Sequence, residues 1–291
     1  MDYSLSITAA NSQIRGFFAN TRETAETARK NYNTTPVVSA AVGRLLTGTA
    51  IMGLMLKNNK DILTVSLKGD GPMQGIIATA DSMGNVVGYA YEPHVVLPLK
   101  SNGKLDVGGA IGAGHIHVIK DMGLKEPFSS TLPLISGEVA EDLTRYFGVS
   151  EQTPSVVALG VLVDRDLSVK HAGGFVVQLM PEASDDVITK LETNLKTLDT
   201  VTNMMDKGLD PKGIMNTVLK DLNPVINETR EIRFLCKCSK ERARNALVLI
   251  GKDEILDILD KDGKANIHCH FCNSDYKFSK NELLELVKEV D

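Results

Sequence analysis

Hydrophobic and polar positions alternate with a period of two in the first half of the chain. Between residues 61 and 91, three short alternating runs are separated by glycine-containing turns, a pattern that predicts an antiparallel meander of half-buried strands. Further strands are predicted at 4–19 (a strand and turn), 115–119, 131–135, 156–163 and 167–179. Gly173 and Gly174, inside the last of these, indicate either a β-bulge or a close approach of other backbone.

Two helices are predicted before the meander. Residues 20–23 have the spacing of a capping box, and the helix that they open should end near Tyr32. Pro36 then stands at the first position of a second helix, after an N-cap threonine. Residues 37–56 are apolar or small over a length that would just span a bilayer. Because Arg44 lies near the centre and no second such stretch exists, we expect a buried core helix and no membrane contact.

Two nearby motifs are predicted to carry no chemistry. Glu141 and Asp142 are adjacent on a helix predicted at 138–147. Consecutive helical side chains do not face each other, so a solvated surface is expected rather than an acid–base pair. The glycine-rich residues 108–114 lead into a strand and lack a Gly-Lys-Ser/Thr ending, so a flexible loop is predicted rather than a phosphate-binding one.

From Met180 onward the hydrophobic period becomes helical. One helix is predicted from Ser184 to Gly208, and a second begins at Asp210-Pro211 and closes at Asn223-Pro224. Their apolar stripes are Val187, Ile188, Leu191, Leu195, Leu198 and Val201, and then Ile214, Met215, Val218, Leu219 and Leu222. Neither helix can bury its stripe alone, so each must lie on another part of the protein. The pattern by itself favours permanent core over a detachable segment.

The order of these elements predicts an α+β protein in three parts. Residues 1–180 form an N-terminal domain of antiparallel strands packed on helices. Residues 181–228 form a helical linker docked on it, and residues 229–291 form a small C-terminal domain. We use the name linker for residues 181–228 throughout.

All four cysteines lie in this C-terminal part, as a C-x-C pair and a C-x-x-C pair about thirty residues apart. Zinc takes four soft ligands in a tetrahedron, and short cysteine spacings supply two from each of two turns. We therefore predict one Zn²⁺ per chain, held by Cys236, Cys238, Cys269 and Cys272. His268 and His270 flank Cys269, but four sulfurs already complete the tetrahedron.

The metal and disulfides exclude each other at such a site. Zinc–sulfur bonds of about 2.3 Å place neighbouring sulfurs almost 4 Å apart, whereas a disulfide needs about 2.05 Å. A domain this small rarely gains more than about 3–5 kcal/mol from its core, while structural zinc contributes about 10–16 kcal/mol. Oxidation would thus unfold it. Spacing alone favours inert structural zinc over a switch, although a strained C-x-C disulfide is of the labile, regulatory kind.

Composition narrows the function classes. The 291 residues are 43% hydrophobic and 24% charged, with a formal charge of −5 and a pI near 5.7, which gives no basic field for nucleic acid. The N-terminus shows neither the charged region nor the apolar region of a secretory signal. Four cysteines spaced like metal ligands, in a chain without a secretory signal, are typical of the reducing cytosol, where thiols stay free. The competing hypotheses are a nucleic-acid-binding protein with a structural zinc ribbon, and a thiol oxidoreductase that uses Cys236 and Cys238.

The sequence resembles the heat shock protein 33 family over essentially its whole length. The resemblance rests on the four cysteines, with CKCS at 236–239 and CHFC at 269–272, and on five motifs in the N-terminal part. These motifs are AAVGRLL at 40–46, KGDGP at 68–72, SGE at 136–138, SEQTPS at 150–155 and AGGF at 172–175.

This resemblance implies a cytoplasmic, redox-regulated chaperone of the stress response, which is a binding protein and not an enzyme. The reduced, zinc-bound protein would be inactive. Peroxide with unfolding conditions, or hypochlorite, would form the disulfides Cys236–Cys238 and Cys269–Cys272 and release zinc. The C-terminal domain and then the linker would unfold, the activated protein would form a homodimer, and unfolding client proteins would be held without ATP. The resemblance therefore predicts a detachable linker, whereas the hydrophobic pattern alone favours permanent core.

Overall fold

The computed structural model describes residues 1–289. The chain groups into two compact units, Met1–Leu235 and Cys236–Asp291, each of which is described by itself below.

The first unit contains strands that follow the predicted alternation closely. In chain order they are β1 (Tyr3–Ala9), β2 (Ile14–Asn20), β3 (Ile62–Gly69), β4 (Gly75–Asp81), β5 (Asn85–Ala90), β6 (Gly114–Asp121), β7 (Phe128–Pro133), β8 (Ser155–Val163), β9 (Val169–Leu179), β10 (Val225–Glu231) and β11 (Arg233–Phe234). Its helices are α1 (Arg22–Tyr32), α2 (Pro36–Leu54), α3 (Val107–Ile111), α4 (Ala140–Val149), α5 (Asp185–Lys196), α6 (Val201–Asp206) and α7 (Pro211–Val218).

Within the described residues these strands form two sheets. One has the order β10-β1-β2-β9-β8 and the other β11-β5-β4-β3-β6-β7. β11 pairs with β5 in parallel, and the other neighbours in this unit run antiparallel. The predicted meander of β3, β4 and β5 is confirmed, and so is the α+β class.

Helix α2 lies between the two sheets and contacts β4 and β5 on one side and β8 and β9 on the other. It is long and apolar enough to cross a membrane, but 94% of its most apolar window is buried in the protein. Its small residues permit close packing, since a Cβ on Gly53 would stand 2.7 Å from the carbonyl oxygen of Asp81. The prediction of a buried core helix is therefore confirmed.

The prediction of one long helix from Ser184 to Gly208 is wrong, because the helix is interrupted between α5 and α6. The Asp199 carboxylate accepts the backbone N–H of Thr200 at 2.7 Å and the side-chain amide of Asn203 at 2.8 Å. The Thr200 hydroxyl then accepts the backbone N–H of Asn203, so Thr200 is a new N-cap. Helix α7 begins as predicted, with the Asp210 side chain accepting from Gly213 N–H at 2.8 Å, but it ends at Val218 and not at the predicted Asn223-Pro224.

Two buried aspartates also differ from the prediction. The reciprocal capping box predicted at residues 20–23 does not form: the Asn20 side chain accepts the backbone N–H of Arg22, and Asp2, only 3% exposed, accepts those of Glu23 and Thr24. Asp142 is 1% exposed rather than solvated, and it accepts the N–H groups of Ile135 and Val139. Both satisfy helix or loop donors that would otherwise be buried without partners.

The glycine-rich residues 108–114 are likewise not a flexible loop. Most of them belong to α3 and to the start of β6. The Asp106 side chain caps this short helix by accepting from the backbone N–H of Gly109 at 3.0 Å. The segment is ordered by its own cap and by buried Ala110 and Ile111.

The second unit is small. Its elements are α8 (Lys240–Ile250), α9 (Lys252–Lys261), β12 (Ala265–Cys269), β13 (Ser274–Phe278) and α10 (Lys280–Glu289), with β12 and β13 forming an antiparallel hairpin. The buried apolar side chains that pack together in it are Ala243, Leu247, Ile255, Phe278, Leu283 and Leu286. Such a core is slight for an independent fold.

Glu26 joins α1 to β9 through a partly buried set of contacts. Its carboxylate accepts from the Arg29 guanidinium at 2.7 and 2.8 Å and from the backbone N–H of Val169 at 2.9 Å. The hydrogen bonds from Arg29 outweigh burial and lower the pKa of Glu26 to about 2. Ionised Glu26 therefore stabilises the first unit.

We predict that Glu26→Gln destabilises the protein at neutral pH and that the difference shrinks in acid. The folded pKa of about 2 lies below the ordinary value of 4.5. The contribution of Glu26 to the free energy of unfolding is thus complete above pH 4.5 and is lost as pH falls through about 2. Urea unfolding followed by circular dichroism between pH 7 and pH 2 measures it, with exposed Glu141→Gln as the control. A pH-independent difference would contradict the assignment.

Candidate metal centre and linker surface

The four cysteines come from two short segments of the second unit. Cys236 and Cys238 lie in the extended residues before α8, where Ser239 is the N-cap and accepts from the backbone N–H of Arg242. Cys269 ends β12, and Cys272 lies in the hairpin turn. The turn is closed by Asn273, which has a left-handed φ of 58° and donates its N–H to the carbonyl of Cys269 at 2.8 Å.

These segments bring four sulfur atoms together. All four lie within 4.8 Å of one another, and each cysteine is a half-buried free thiol. The sulfurs of Cys236 and Cys269 are 3.6 Å apart and those of Cys238 and Cys272 are 3.1 Å apart. Both distances are far longer than a disulfide bond of about 2.05 Å. Four convergent thiols form a donor set that suits tetrahedral zinc.

Hydrogen bonds differentiate the thiols. Burial raises the pKa of Cys236 and of Cys238. Burial would also raise that of Cys272, but hydrogen bonds with the Ser274 hydroxyl, 3.3 Å away, and with Cys238 outweigh it and lower the pKa to about 7. The thiolate is the form that binds metal and reacts with oxidants, and these hydrogen bonds favour that form at Cys272.

Tyr276 is a partner of this centre that the spacing of the cysteines did not predict. Its hydroxyl donates a hydrogen bond to the Cys238 sulfur at 3.0 Å, and this bond raises the pKa of Tyr276 to about 12. Ser274 and Tyr276 alternate along β13 on the face that carries the centre. That period of two was the available sequence signal, but it does not distinguish a ligand partner from any other strand residue.

The histidines near the cysteines are engaged elsewhere. His268 lies 3.0 Å from the Asp275 carboxylate through Nδ1, and its ring contacts that of His270 edge to face. In the described part of the chain the group of metal-ligating atoms consists of the four sulfurs. His115 and His117 lie on one strand as expected, with His117 Nδ1 2.9 Å from the Thr131 hydroxyl.

The helices of the linker cover an apolar face of the first unit. Buried side chains of α5, α6 and α7 pack in one cluster with residues of β1, β2 and β9. The linker members are Val187, Leu191, Val201, Met204, Met205, Ile214, Met215, Val218, Leu219 and Leu222, and those of the strands include Leu5, Ile7, Ile14, Phe18, Phe175 and Val177. Both sides of this contact are apolar.

Two glycines make room for α6. A Cβ on Gly160 would lie 2.8 Å from Cγ2 of Thr202 and 3.2 Å from Cβ of Val201. A Cβ on Gly173 would collide with the Met205 methyl group and with the backbone of Ala19. The close approach predicted at Gly173 is confirmed, and the irregular register of β8 and β9 falls instead between Leu162 and Val163.

Polar side chains form hydrogen bonds and ion pairs beside the apolar contact between the linker and the strands. Asp206 on α6 accepts from Lys170 at 2.5 Å and lies 3.2 Å from His171 Nε2. The Tyr3 hydroxyl donates to Asp210 at 3.3 Å, and Gln13 accepts the backbone N–H of Ser184. These pairs are largely exposed, so each contributes little to stability.

Comparison with known proteins agrees with this arrangement. A sequence model of the Hsp33 protein matches residues 2–279. The 33 kDa chaperonin of Clostridioides difficile (strain 630) is 53% identical over 290 residues, 99% of each chain, and that of Bacillus licheniformis is 44% identical over 291 residues, the full length of both. The crystal structure of the 33 kDa chaperonin from Thermotoga maritima matches with a TM-score of 0.91 at 38% identity, covering 99% of this chain and 98% of that one.

The fold, the four-cysteine centre and these relatives define a redox-regulated holdase chaperone with a C-terminal zinc site, which is not an enzyme. The chain belongs to the Hsp33 family. The resemblance is thus confirmed, and so is the class of function that it implied, a redox-regulated holdase chaperone.

We predict that Tyr276→Phe makes the zinc easier to lose. The substitution removes the hydrogen bond to the Cys238 sulfur, and loss of a partner of a metal ligand typically lowers metal affinity about 10- to 100-fold. Zinc transfer to a colorimetric chelator should be correspondingly faster. Tyr91→Phe in the first unit is the control. Equal transfer from all three proteins would show that the Tyr276 contact does not support the centre.

Proposed function

We propose that Cys236, Cys238, Cys269 and Cys272 bind one Zn²⁺ in the reduced protein and act together as the sensor of oxidants. Two peroxide molecules supply the oxidising equivalents. Each accepts two electrons from a pair of thiolates and, with two protons, becomes two water molecules. The products are the disulfides Cys236–Cys238 and Cys269–Cys272, and Zn²⁺ leaves because no thiolate remains to bind it. The convergence of four free sulfurs carries this proposal.

The second unit then loses its main source of stability. Its apolar core is slight, and a small core contributes about 3–5 kcal/mol at most. Zinc binding contributes about 10–16 kcal/mol to comparable modules. We infer that the oxidised second unit unfolds without its metal, and that the rest of the zinc-binding domain predicted at residues 229–291 unfolds with it.

Release of the linker, residues 181–228, follows from its place in the chain. β10 and β11 come after the linker helices and pair with β1 and β5 at the edges of the two sheets. Cys236 comes two residues after Phe234, the last residue of β11. Unfolding that begins at Cys236 therefore reaches these two edge strands first and then α7. Edge strands lack a second neighbour and open more readily than central ones.

Detachment exposes two apolar surfaces, the linker stripe and the face of β1, β2 and β9 on the N-terminal domain, residues 1–180. Large exposed apolar surfaces bind other apolar chains. The chaperone binds unfolded client proteins, and we propose that these two surfaces hold them without ATP. The same surfaces would support a homodimer of the activated protein. Free thiols in the resting state fit the cytoplasm as its location.

We predict that peroxide at raised temperature releases about one zinc per chain and that suppression of client aggregation appears over the same time course. A chelator reports the zinc, and light scattering of a chemically unfolded client reports the activity. Cys236→Ser with Cys238→Ser should abolish this regulated response. Zinc release without a gain of activity would leave zinc as purely structural, and a serine variant that keeps zinc and responds normally would show that the ligands are wrong.

We predict that Gly160→Ala detaches the linker in reduced, zinc-loaded protein. The new methyl group would press on Thr202 and Val201, and overpacking of this kind costs about 1–3 kcal/mol. Proteolysis within residues 181–228 and aggregation suppression should both rise without zinc loss.

Gly148→Ala is the matched control, because a Cβ at Gly148 meets nothing within 4 Å. If the Gly160→Ala protein is as resistant to protease and as inactive against aggregation as the parent, then the packing of α6 on Gly160 does not hold the linker in place.

A further inference from the structure

The linker contributes three methionines to the apolar contact with the first unit. Met204 and Met205 lie on α6 and Met215 on α7, and they are 3%, 6% and 2% exposed. The Met205 methyl group rests where a Cβ on Gly173 would be. In the docked protein these three thioethers are therefore shielded from solutes.

Thioether sulfur reacts with the same oxidants as the thiolates. Hypochlorous acid transfers its oxygen to a methionine sulfur, which loses two electrons as chlorine leaves as chloride with one proton. The product is methionine sulfoxide, a polar and chiral side chain. Access to the sulfur controls this reaction, so the linker methionines are protected for as long as the linker stays docked.

A sulfoxide would not fit the docked position. The three side chains pack among apolar residues such as Phe18, Phe175 and Val177, and a buried polar oxygen without a hydrogen-bond donor is unfavourable. At Met205 there is in addition no space for another atom towards Gly173. Oxidation therefore changes the linker side of the contact chemically, and reduction of the disulfides does not reverse it.

We propose that Met204, Met205 and Met215 form a second set of oxidation sites, which reacts only after the linker has left the core and which, as sulfoxides, prevents it from docking again. This inference rests on the proposed release of the linker. It makes the active state outlast the disulfides until the sulfoxides are reduced by a methionine sulfoxide reductase.

The chain contains its own controls for accessibility. Met1, Met83, Met122 and Met180 are 77%, 58%, 39% and 38% exposed, whereas Met52 and Met73 are 3% and 0% exposed in the core that remains folded. Hypochlorous acid should oxidise the exposed group at once in the reduced, zinc-loaded protein. Met204, Met205 and Met215 should follow only as zinc is released, and Met52 and Met73 should stay unmodified.

The test uses the full-length protein. After hypochlorous acid treatment, peptide mass spectrometry locates the sulfoxides, and dithiothreitol with Zn²⁺ then restores the thiols and one zinc per chain. The parent should remain sensitive to protease in residues 181–228 and active against aggregation, until methionine sulfoxide reductases A and B remove the activity. The triple variant Met204→Leu, Met205→Leu, Met215→Leu should return to the inactive state with dithiothreitol and zinc alone.

The triple variant Met83→Leu, Met122→Leu, Met180→Leu should behave as the parent does. The proposal is overturned if zinc and linker are released while Met204, Met205 and Met215 stay unoxidised, or if a sulfoxide-bearing linker docks fully once the thiols are restored. Protease resistance of residues 181–228 after complete zinc release would refute linker release itself, and with it this inference.

Discussion

Four thiolates can bind one zinc ion or form two disulfides, but not both, and the other properties of the protein depend on this constraint. The sulfurs of a zinc tetrahedron are almost twice as far apart as those of a disulfide. The second unit has too little apolar core to replace the metal. In the proposed mechanism its folding is therefore tied to the redox state of four atoms, two of which are contacted by Tyr276 and Ser274.

The linker contact is held by apolar packing rather than by its ion pairs. Burial of one large apolar side chain contributes about 1.5–3 kcal/mol, whereas an exposed ion pair such as Lys170 and Asp206 is weakened by the surrounding water and contributes much less. The polar pairs fix the position of α6 over Gly160 and Gly173. Because the stabilising area is apolar on both sides, the surface that is hidden in the resting protein is of the kind that binds other apolar chains when it is exposed.

Much of this organisation could be predicted from local sequence. The strands of the meander and the four-cysteine centre follow from alternation and spacing. The interruption between α5 and α6 could not be predicted, because the apolar stripe continues across it. Hydrogen bonds accepted by Asp199 and Thr200 determine where α6 begins. Burial of Asp142 depends on loop donors outside its helix, and the contact of Gly160 with Thr202 is tertiary. Such contacts have no short-range pattern.

An apolar contact within one chain also explains how binding can be reversed. The linker is covalently attached to the unit that it covers, so its effective concentration at that face is in the millimolar range typical of short tethers. A client bound to the same face competes from far lower concentration. In the proposed mechanism, zinc that restores the second unit would shorten the free tether, and the linker would then displace weakly held clients, provided that its own side chains are still apolar. In that mechanism, client release depends on the chemical state of the linker surface just as activation depends on the state of the cysteines.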